Sequence, residues 1–267
     1  MALEDLHAGA GFTLRDSPSE SARFGRRIAR LVVTAREPAE LGGLGDALDA
    51  CPADVVVARW PSDALWLPAR LCRPGHDVVA AGAIVYWGAP VGSGRRPAAD
   101  GSLEVQVVSA GQPGADALGA LVDEVVGDSF ADYGNHYVAD PLLDRAAAAA
   151  GYQEWARRSL TDDNHAVVVL RDADTALGLA TCARSSDAEH VEVLLAGMAS
   201  RAQGRGLYAH LLAAVEDMAA GLGAQRLVIS TQTHNTKVQR AWARYGLEPF
   251  AAYETAHLVR RGLLQAD

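Results

Sequence analysis

Hydrophobic and polar residues alternate most regularly in the carboxyl-terminal part of the chain, where the pattern predicts three consecutive strands, at residues 165–170, 176–184 and 190–198. A helix is predicted over 206–222, because apolar residues recur there at helical spacing on one face: Leu207, Leu211, Leu212, Val215 and Met218. The predicted order ends with a strand at 226–231, a helix at 235–245 and a strand at 249–259. A meander followed by alternating strands and helices indicates a mixed α/β sheet.

The earlier part of the chain shows weaker patterns, on either side of a change in composition at residues 89–102. These residues are rich in Gly, Pro and Ser and have no apolar periodicity. We interpret this stretch as a linker. Before it the pattern predicts strands at 28–34, 54–59 and 77–87, and helices at 37–50 and 62–71. After it come a predicted strand at 103–108 and helices at 115–130 and 141–159. The chain is therefore predicted to have a smaller amino-terminal α/β half-domain, residues 1–98, before a larger domain, residues 99–267.

Composition narrows the class of protein. Hydrophobic residues make up 49% of the 267 and charged residues 21%, which fits a globular core. The net charge of -9 argues against a general nucleic-acid binder, which needs a basic face. Cys51, Cys72 and Cys182 form no C-x-x-C pair, and the eight histidines show no metal-binding spacing. With no signal peptide at residues 1–5 and no apolar run long enough for a bilayer, we expect a cytoplasmic protein without a metal or a membrane partner.

The most informative segment joins the predicted strand at 190–198 to the helix at 206–222. It reads Arg201-Ala202-Gln203-Gly204-Arg205-Gly206. Two glycines permit backbone conformations closed to other residues, and the unpaired amides at a helix start favour a pyrophosphate. Arg201 and Arg205 add positive charge. Taken alone, Gly-x-Gly before a helix is also typical of a tight turn, and the segment matches neither Walker A nor the dinucleotide fingerprint.

A second segment follows one helix later, with Ser230-Thr231-Gln232, then Asn235, Trp242 and Gly246-Leu247. In this order the two segments resemble the coenzyme A signature and the second motif of the GNAT superfamily, over about residues 103–267. The resemblance implies a mixed GNAT-type sheet flanked by helices and an acyl-CoA-dependent N-acyltransferase that uses acetyl-CoA or another acyl-CoA. It implies that the coenzyme is bound by these residues: Met198, Arg201, Gln203, Gly204, Arg205, Gly206, Leu207, Tyr208 and Asn235.

Other segments are similar to a narrower group, the bacterial nucleotide-amino-sugar acetyltransferases such as dTDP-fucosamine acetyltransferase. They are Asp16-Ser17 with the basic-apolar stretch 24–30, Thr231-Gln232, and the stretch 135–141 that ends in Asp140-Pro141. The gap between Asp16-Ser17 and the basic stretch is longer here than in that group. This likeness implies a small-molecule amine acceptor, in particular a nucleotide-linked amino sugar.

The GNAT resemblance implies direct attack of a neutral amine on the thioester, with the backbone N–H of Met198 stabilising the oxyanion. For the base we consider Glu192, His136 and His257. Glu192 lies in an apolar run, so it faces either solvent or the cleft. The aromatic residue after the motif Asn is commonly a Tyr that acts as general acid, but here it is Trp242, whose indole cannot deliver a proton. Tyr208, Tyr253 and His257 are candidate replacements.

Three alternatives stay open at this level. The acidic net charge favours an aminoglycoside or other polyamine as acceptor. A longer acyl group, or an acyl carrier protein as donor, is compatible with the same glycine segment. Trp242 in place of Tyr also fits a non-catalytic sensor that binds acyl-CoA. The oligomeric state is not predicted.

Overall fold

A computed structural model describes residues 3–6, 11–109, 118–130 and 134–264. Over these ranges the main helices and strands are, in chain order, β1 (Phe12–Asp16), α1 (Pro18–Phe24), β2 (Ile28–Val33), α2 (Leu44–Ala50), β3 (Val55–Pro61), α3 (Leu67–Leu71), β4 (His76–Pro90), β5 (Leu103–Ser109), α4 (Gly119–Phe130), α5 (Arg145–Arg158), β6 (His165–Asp172), β7 (Thr175–Arg184), β8 (His190–Met198), α6 (Tyr208–Gly221), β9 (Arg226–Gln232), α7 (Thr236–Tyr245) and β10 (Glu248–Arg260). None of the helices in these ranges has the length and apolarity needed to cross a bilayer.

The chain folds into two compact units. Unit 1 comprises the chain up to Val85, Gly134–Ala148 and the residues from Ala251 onward, and unit 2 comprises Tyr86–Tyr133 and Ala149–Phe250. The unit boundaries fall inside β4 and β10. The division differs from the predicted boundary between residues 98 and 99: it falls between Val85 and Tyr86, and two later segments also belong to unit 1.

Unit 1 is a mixed sheet covered on both faces. Its strands lie in the order β1-β2-β3-β10-β4, with β1–β2 and β3–β10 antiparallel and β2–β3 parallel. Strand β3 is buried along its whole length, which explains why six of its seven residues are apolar and only Arg59 is charged. Val56 and Ala58 pack in a cluster with α2 and α3, whereas Val55 and Val57 pack in another cluster with Tyr137.

Unit 2 contains the meander predicted from the sequence. Its strands lie in the order β4-β9-β8-β7-β6-β5, with β5 to β8 antiparallel and β9 parallel to β8. Val167 and Val169 of β6 pack with α4 on one face, and Val168 and Leu170 are buried on the other. Helix α6 packs against strands β6 to β9. A mixed sheet flanked by helices is therefore confirmed.

Several predicted elements differ in extent. The helix predicted over 37–50 is a short 3-10 helix, Pro38–Leu41, followed by α2, because Gly43 has a φ of 80°. The helix predicted over 62–71 forms only at Leu67–Leu71. Residues 115–117 of the helix predicted over 115–130 lie outside the described residues. Strand β1 and helix α1 were not predicted.

The stretch 89–102, interpreted as a linker, is anchored to unit 2 over its first half. The backbone N–H groups of Gly92 and Gly94 donate to Glu216 Oε1 over 2.9 and 3.0 Å. Tyr245 donates its hydroxyl to Glu216 Oε2 over 2.7 Å, and the N–H of Arg95 donates to the carbonyl of Tyr245. The linker interpretation is wrong for these residues, since composition does not reveal hydrogen bonds to a buried carboxylate more than a hundred residues away.

Candidate coenzyme and acid–base sites

Strands β8 and β9 of unit 2 pair only over their first residues. Their parallel register runs from His190↔Arg226 to Val193↔Ile229, and β8 then continues to Met198 while β9 continues to Gln232. On the other side of β8, Thr181 pairs with Leu195 and Cys182 with Val193, which leaves Leu194 as an extra residue. Such a bulge bends its strand and increases the local twist. The bulge therefore coincides with the point where the pairing of β8 with β9 ends.

Five consecutive backbone amides follow the end of β8. Across the described residues, the N–H groups of residues 204–208 have no hydrogen-bond acceptor in the protein. Gly204 and Gly206 have φ values of 74° and 77°, with open space where a Cβ would lie. The amides enter α6, a helix of 14 residues, at the positive end of its dipole. This arrangement suits an anion with several oxygens, such as a pyrophosphate.

The side chains of the same loop hold it in place. Gln203 donates its amide to the carbonyl of Met198 over 3.1 Å, which fastens the loop to the end of β8. Arg201 pairs with Glu124 of α4 and donates to the carbonyl of Ala176 over 2.5 Å. Arg201 therefore contacts the protein rather than presenting an isolated positive charge. Arg205 is exposed, and its charge helps to lower the pKa of Asp100, which the hydrogen bonds from Ser102 lower most.

Met198, the predicted oxyanion donor, ends β8 opposite Gly178 of β7. The next residue, Ala199, donates its N–H to the carbonyl of Leu177 on the β7 side. Because N–H directions alternate along a strand, the N–H of Met198 points away from β7, to the side where β9 lies. A Cβ on Gly178 would lie 2.5 Å from Met198 Sδ and 2.7 Å from the carbonyl oxygen of Gly197, so this approach requires glycine.

The second motif lies on β9 and α7. Asn235 precedes the first residue of α7 but makes no side-chain cap; its amide donates to Thr231 Oγ1 over 3.0 Å. Trp242 is buried, and its Nε1–H donates to the hydroxyl of Tyr208 over 3.1 Å. Tyr208 and Trp242 were predicted separately, and the structure brings them into contact.

Unit 1 holds a hydrogen-bonded array of three buried side chains. His257 Nδ1 lies 2.9 Å from Asp140 Oδ2, and His257 Nε2 lies 3.0 Å from His136 Nδ1. A carboxylate only accepts, so His257 carries its proton on Nδ1 and uses Nε2 as an acceptor. His136 then donates from Nδ1, and its basic lone pair is on Nε2. Both predicted histidines thus act together, and both ring nitrogens of His257 are occupied.

An ion pair between the buried Glu20 and the half-buried Arg30 lies beside this array. Glu20 of α1 accepts from Arg30 of β2 over 2.6 Å, from Ser17 over 2.6 Å, and from the hydroxyl of Tyr137. Burial alone would raise the pKa of Glu20, but the charge and hydrogen bonds of Arg30, with those of Ser17 and Tyr137, lower it to about 2. The ring of Tyr137 lies 3.9 Å from that of His136. The network therefore fixes the segment that carries His136.

The pKa of His136 is set by its surroundings. Burial lowers the pKa well below its ordinary value, and the positive charge of Arg59 lowers it further. Arg59 is itself buried and donates to Thr255 Oγ1 over 3.2 Å. His136 is therefore neutral at pH 7, which is the state required of a base.

The remaining candidates are placed as follows. Glu192 of β8 is only 4% exposed, which excludes the solvent-facing interpretation. It pairs in register with Ala183 and Val228 in unit 2. Tyr253 lies on β10 in unit 1, and burial raises its pKa. Asp140 was quoted only as part of a motif and was not predicted as a site residue. A carboxylate four residues from a candidate histidine, before a proline, was the available signal.

Comparison with known proteins agrees with the geometry of unit 2. Residues 130–247 match the family model of the "Acetyltransferase (GNAT) family". No curated protein sequence matches this chain. The predicted resemblance to the GNAT superfamily is confirmed, whereas the narrower likeness to nucleotide-amino-sugar enzymes is not tested by this match.

Solved structures share the fold at low sequence identity. A GCN5-related N-acetyltransferase from Kribbella flavida is 17% identical, with a TM-score of 0.58, and the match covers 98% of this chain and 95% of that one. One from Sphaerobacter thermophilus is 14% identical, with a TM-score of 0.55, over 95% and 78%. A tandem GNAT protein from the clavulanic acid biosynthesis pathway is 13% identical, with a TM-score of 0.58, over 92% and 83%.

The fold, the glycine turn and the family match together define the class of protein. Residues 130–247 match that family, so this part of the chain carries a GNAT-type acetyltransferase domain. By that domain it is an acyl-CoA-dependent N-acyltransferase that acts on an amine.

Proposed function

We propose that the protein transfers an acetyl group from acetyl-CoA to the amine of a small molecule. The observation that carries this proposal is the run of five backbone N–H groups, residues 204–208, for which the described part of the chain offers no acceptor; they lie between the end of β8 and the start of α6. Helix starts at the carboxyl ends of parallel strands are where α/β sheets bind phosphates. We assign the pyrophosphate of the coenzyme to the backbone N–H groups of residues 204–208, with the side chains of Arg205 and Asn235 next to it. The N–H of Gln203, which the motif also suggested, already donates to the carbonyl of Ser200. Arg201 and Gln203 act through their side chains by holding the loop.

The reaction needs a donor for the oxyanion that develops on the thioester carbonyl. The N–H of Met198 is aimed away from β7 at the end of β8, and this direction supports the assignment. Neither a metal nor a covalent intermediate is required in this scheme: the amine nitrogen attacks the carbonyl carbon, the carbon–sulfur bond breaks, and the electron pair leaves with sulfur.

The amine must lose a proton, and we propose His136 as its acceptor. The supporting observation is the array Asp140–His257–His136, which directs the lone pair of His136 to Nε2 and delocalises the positive charge that forms on protonation. Glu192 is the alternative base, since it is buried in unit 2. The two assignments are distinguishable, because the residues lie on different elements and can be replaced separately.

Replacing His136 with Gln removes the base and keeps a polar side chain. We expect kcat/KM at pH 7 to fall by about 10²-fold. The loss should shrink as pH rises, because the acceptor amine then arrives neutral. Steady-state kinetics from pH 6 to about pH 10 measure this. Glu192→Gln is the matched variant: a pH-rescued loss there, with His136→Gln within a few-fold of wild type, would assign the base to Glu192.

For the acceptor we propose a nucleotide-linked amino sugar. Its support is the likeness of residues 16–30, 135–141 and 231–232 to the enzymes that act on such sugars. A polyamine such as an aminoglycoside is the second candidate, favoured by the net charge of -9. An acyl group longer than acetyl fits the same coenzyme site, because the glycine turn contacts the phosphate end.

A thiol-release assay with acetyl-CoA tests the proposed function. The acceptor panel contains dTDP-amino sugars and aminoglycosides, and products are identified by mass. Acceptor-dependent release of CoA on a nucleotide sugar is the expected result. Release only with aminoglycosides would replace the acceptor class. Coenzyme binding without release for any acceptor, with longer acyl-CoAs also tried, would overturn the enzymatic proposal in favour of an acyl-CoA sensor.

A further inference from the structure

Helix α7 carries a concentration of positive charge in a protein that is acidic overall. The chain has 33 acidic residues, yet none of them lies between Asp217 and Glu248. Within that interval, α7 carries three cations, Lys237, Arg240 and Arg244. We call these three residues the α7 stripe. Against a net charge of -9, a local surface of this sign suits an acidic partner.

The side chains of the α7 stripe share one face of the helix, and that face is open to solvent. They are spaced three and four residues apart, and this spacing makes side chains neighbours on the surface of an α-helix. All three are exposed. Over the part of the chain that the structure describes, none of them forms an ion pair or a side-chain hydrogen bond within the protein. By contrast, Arg158 of α5 pairs with Glu154.

The α7 stripe borders the proposed coenzyme site but faces away from it. Trp242 is buried on the inner side of α7 and donates its Nε1–H to Tyr208, the first residue of α6, over 3.1 Å. Arg240 and Arg244 are each two residues from Trp242, about 200° around the helix, so they point to the opposite side. Because a helix is about 10–12 Å across, the stripe lies about one helix diameter from the Tyr208 side chain.

Lys237 is at the end of the α7 stripe that is nearest the amide turn. It lies in the first turn of α7, which follows β9, and β9 runs parallel to β8. The amides of residues 204–208 follow β8. Both helix starts therefore lie at the same edge of the sheet. From this edge the stripe extends for about 10 Å along the outside of α7, at a rise of about 1.5 Å per residue.

This arrangement discriminates among acidic ligands. A single phosphate needs cations that converge on it, whereas the α7 stripe spreads three charges over about 10 Å on an outward face. The side of an acidic helix matches both the spacing and the sign. Thr236 and Ala243, which are exposed on the same helix, are too small to insert into a membrane. The observations therefore favour a folded acidic protein.

We propose, resting on the proposed function, that the α7 stripe binds an acidic acyl carrier protein, which delivers the acyl group on its phosphopantetheine arm. Coenzyme A and carrier proteins hold the acyl group on the same arm, so one turn of amides can bind a phosphate of either donor. A folded carrier is large enough to contact the outer face of α7 while its arm enters beside the turn.

The transfer step is the same for both donors. The amine nitrogen bonds to the acyl carbon, the carbon–sulfur bond breaks, and the electron pair leaves on the sulfur of the arm. The amine proton passes to the base, and the thiolate takes its final proton from water. The α7 stripe takes no part in these steps, since it acts only on the encounter with the carrier.

Lys237 is the only lysine in the sequence, which permits a site-specific test. A carbodiimide joins a carboxylate to an amine where the two are in contact. With a purified acidic acyl carrier protein, we expect a cross-link that peptide mass spectrometry maps to Lys237, with a yield that falls as salt screens the contact. Lys237→Arg keeps the charge and should lose the cross-link. Arg240→Glu keeps the lysine and should lower the yield at least about fivefold.

Transfer kinetics give a second readout, with the acetylated carrier and acetyl-CoA compared as donors. Arg240→Glu should raise KM for the carrier at least about tenfold at low salt, with kcat and KM for acetyl-CoA within about threefold of wild type. Arg158→Glu is the matched control, because it makes the same charge change on α5 at an exposed ion pair. It should leave KM for both donors close to that of wild type.

The outcomes distinguish this inference from the proposed function. A wild type that transfers acetyl from acetyl-CoA, but neither cross-links to the carrier nor accepts acetyl from it, overturns the inference alone. A raised KM for acetyl-CoA or for the amine in Arg240→Glu, with the carrier unaffected, also overturns it and assigns the stripe to that ligand. Cross-linking at Lys237 without transfer from either donor supports the docking surface and overturns the proposed function.

Discussion

At the scale of single residues, the glycine turn before α6 is where a small change has the clearest electrostatic effect. Gly204 has a φ of 74°, and nothing lies within 4 Å of the position a Cβ would take. Asn and Asp both tolerate this left-handed backbone better than other side chains do, and they have nearly the same shape. Gly204→Asn and Gly204→Asp therefore differ mainly by one negative charge beside the proposed pyrophosphate.

We expect Gly204→Asp to bind acetyl-CoA at least about tenfold more weakly than Gly204→Asn, with a difference that narrows as salt screens the repulsion. Isothermal titration at low and high ionic strength measures it. Equal affinities for the two variants would place the coenzyme phosphates away from this turn.

Residue chemistry was only partly predictable. The glycines and Met198 could be singled out because the turn, the helix start and the strand end that they occupy depend on local sequence. Asp140 and the Tyr208–Trp242 contact were not found as such, because each depends on residues that folding brings together. His136 and His257 are separated by 121 positions, and periodicity along the chain carries no information about that distance.

At the scale of elements, the strap formed by residues 91–96 depends on one carboxylate. Glu216 is 3% exposed, and it accepts two backbone N–H groups and the Tyr245 hydroxyl. Glu216→Ala leaves these donors without their acceptor, at a cost of about 1–3 kcal/mol each where they stay buried. We expect the strap to detach, and limited trypsin digestion to cut between Arg95 and Arg96.

The neighbouring residue offers a matched control. Asp217 pairs with Arg96, but both side chains are largely exposed. An exposed pair contributes about 0–1 kcal/mol, so Asp217→Ala should leave the trypsin pattern close to that of wild type. Equal resistance in Glu216→Ala would show that other contacts hold the strap.

Helices and strands were predicted correctly where apolar residues recur regularly over a long stretch, as in β6 to β9 and α6. The prediction of helices failed where the backbone conformation of a single residue decides where a helix begins or ends. The Gly42-Gly43 pair splits one predicted helix, and the αL conformation of Gly25 ends a helix that was not predicted at all. Pro18 at the start and Gly25 at the end of α1 were a usable signal of that helix.

At the scale of the whole molecule, two groups in unit 1 make stability depend on pH in different ranges. The pKa of His136 is lowered from 6.5, so below about pH 6.5 the unfolded chain binds a proton that the folded chain does not. Stability must therefore fall as pH decreases through that range. The pKa of Glu20 is lowered from 4.5 to about 2, so its contribution is present above pH 4.5 and is lost between 4.5 and 2.

We expect chemical unfolding, measured at a series of pH values, to show both losses. In His136→Gln the slope below pH 6.5 should decrease by up to about 1.4 kcal/mol per pH unit, the contribution of one proton. His76 and His165, whose pKa values burial also lowers, keep part of the slope. A slope identical to that of wild type would mean that His136 titrates normally in the folded protein.

The way in which distant segments of the chain combine into units was the hardest feature to predict from the sequence. The order of the two motifs was sufficient to identify the GNAT domain, since each motif is local. The segments that make up unit 1 could not be predicted in the same way. Its last strand, β10, follows α7 directly in sequence, and the sequence does not indicate that this strand pairs with β3. The alternation of hydrophobic and polar residues over 249–259 does not indicate which strand this segment pairs with.

That last strand has a consequence for synthesis. Strand β10 pairs with β3, and the contact between Arg59 and Thr255 spans 196 positions. While the ribosome is still translating unit 2, β3 has already emerged. The edge of β3 that later pairs with β10 is then unpaired and rich in valine, and such edges promote aggregation. Nascent unit 1 must wait for the carboxyl-terminal residues, so a fragment ending at residue 85 would lack both a sheet neighbour of β3 and His257.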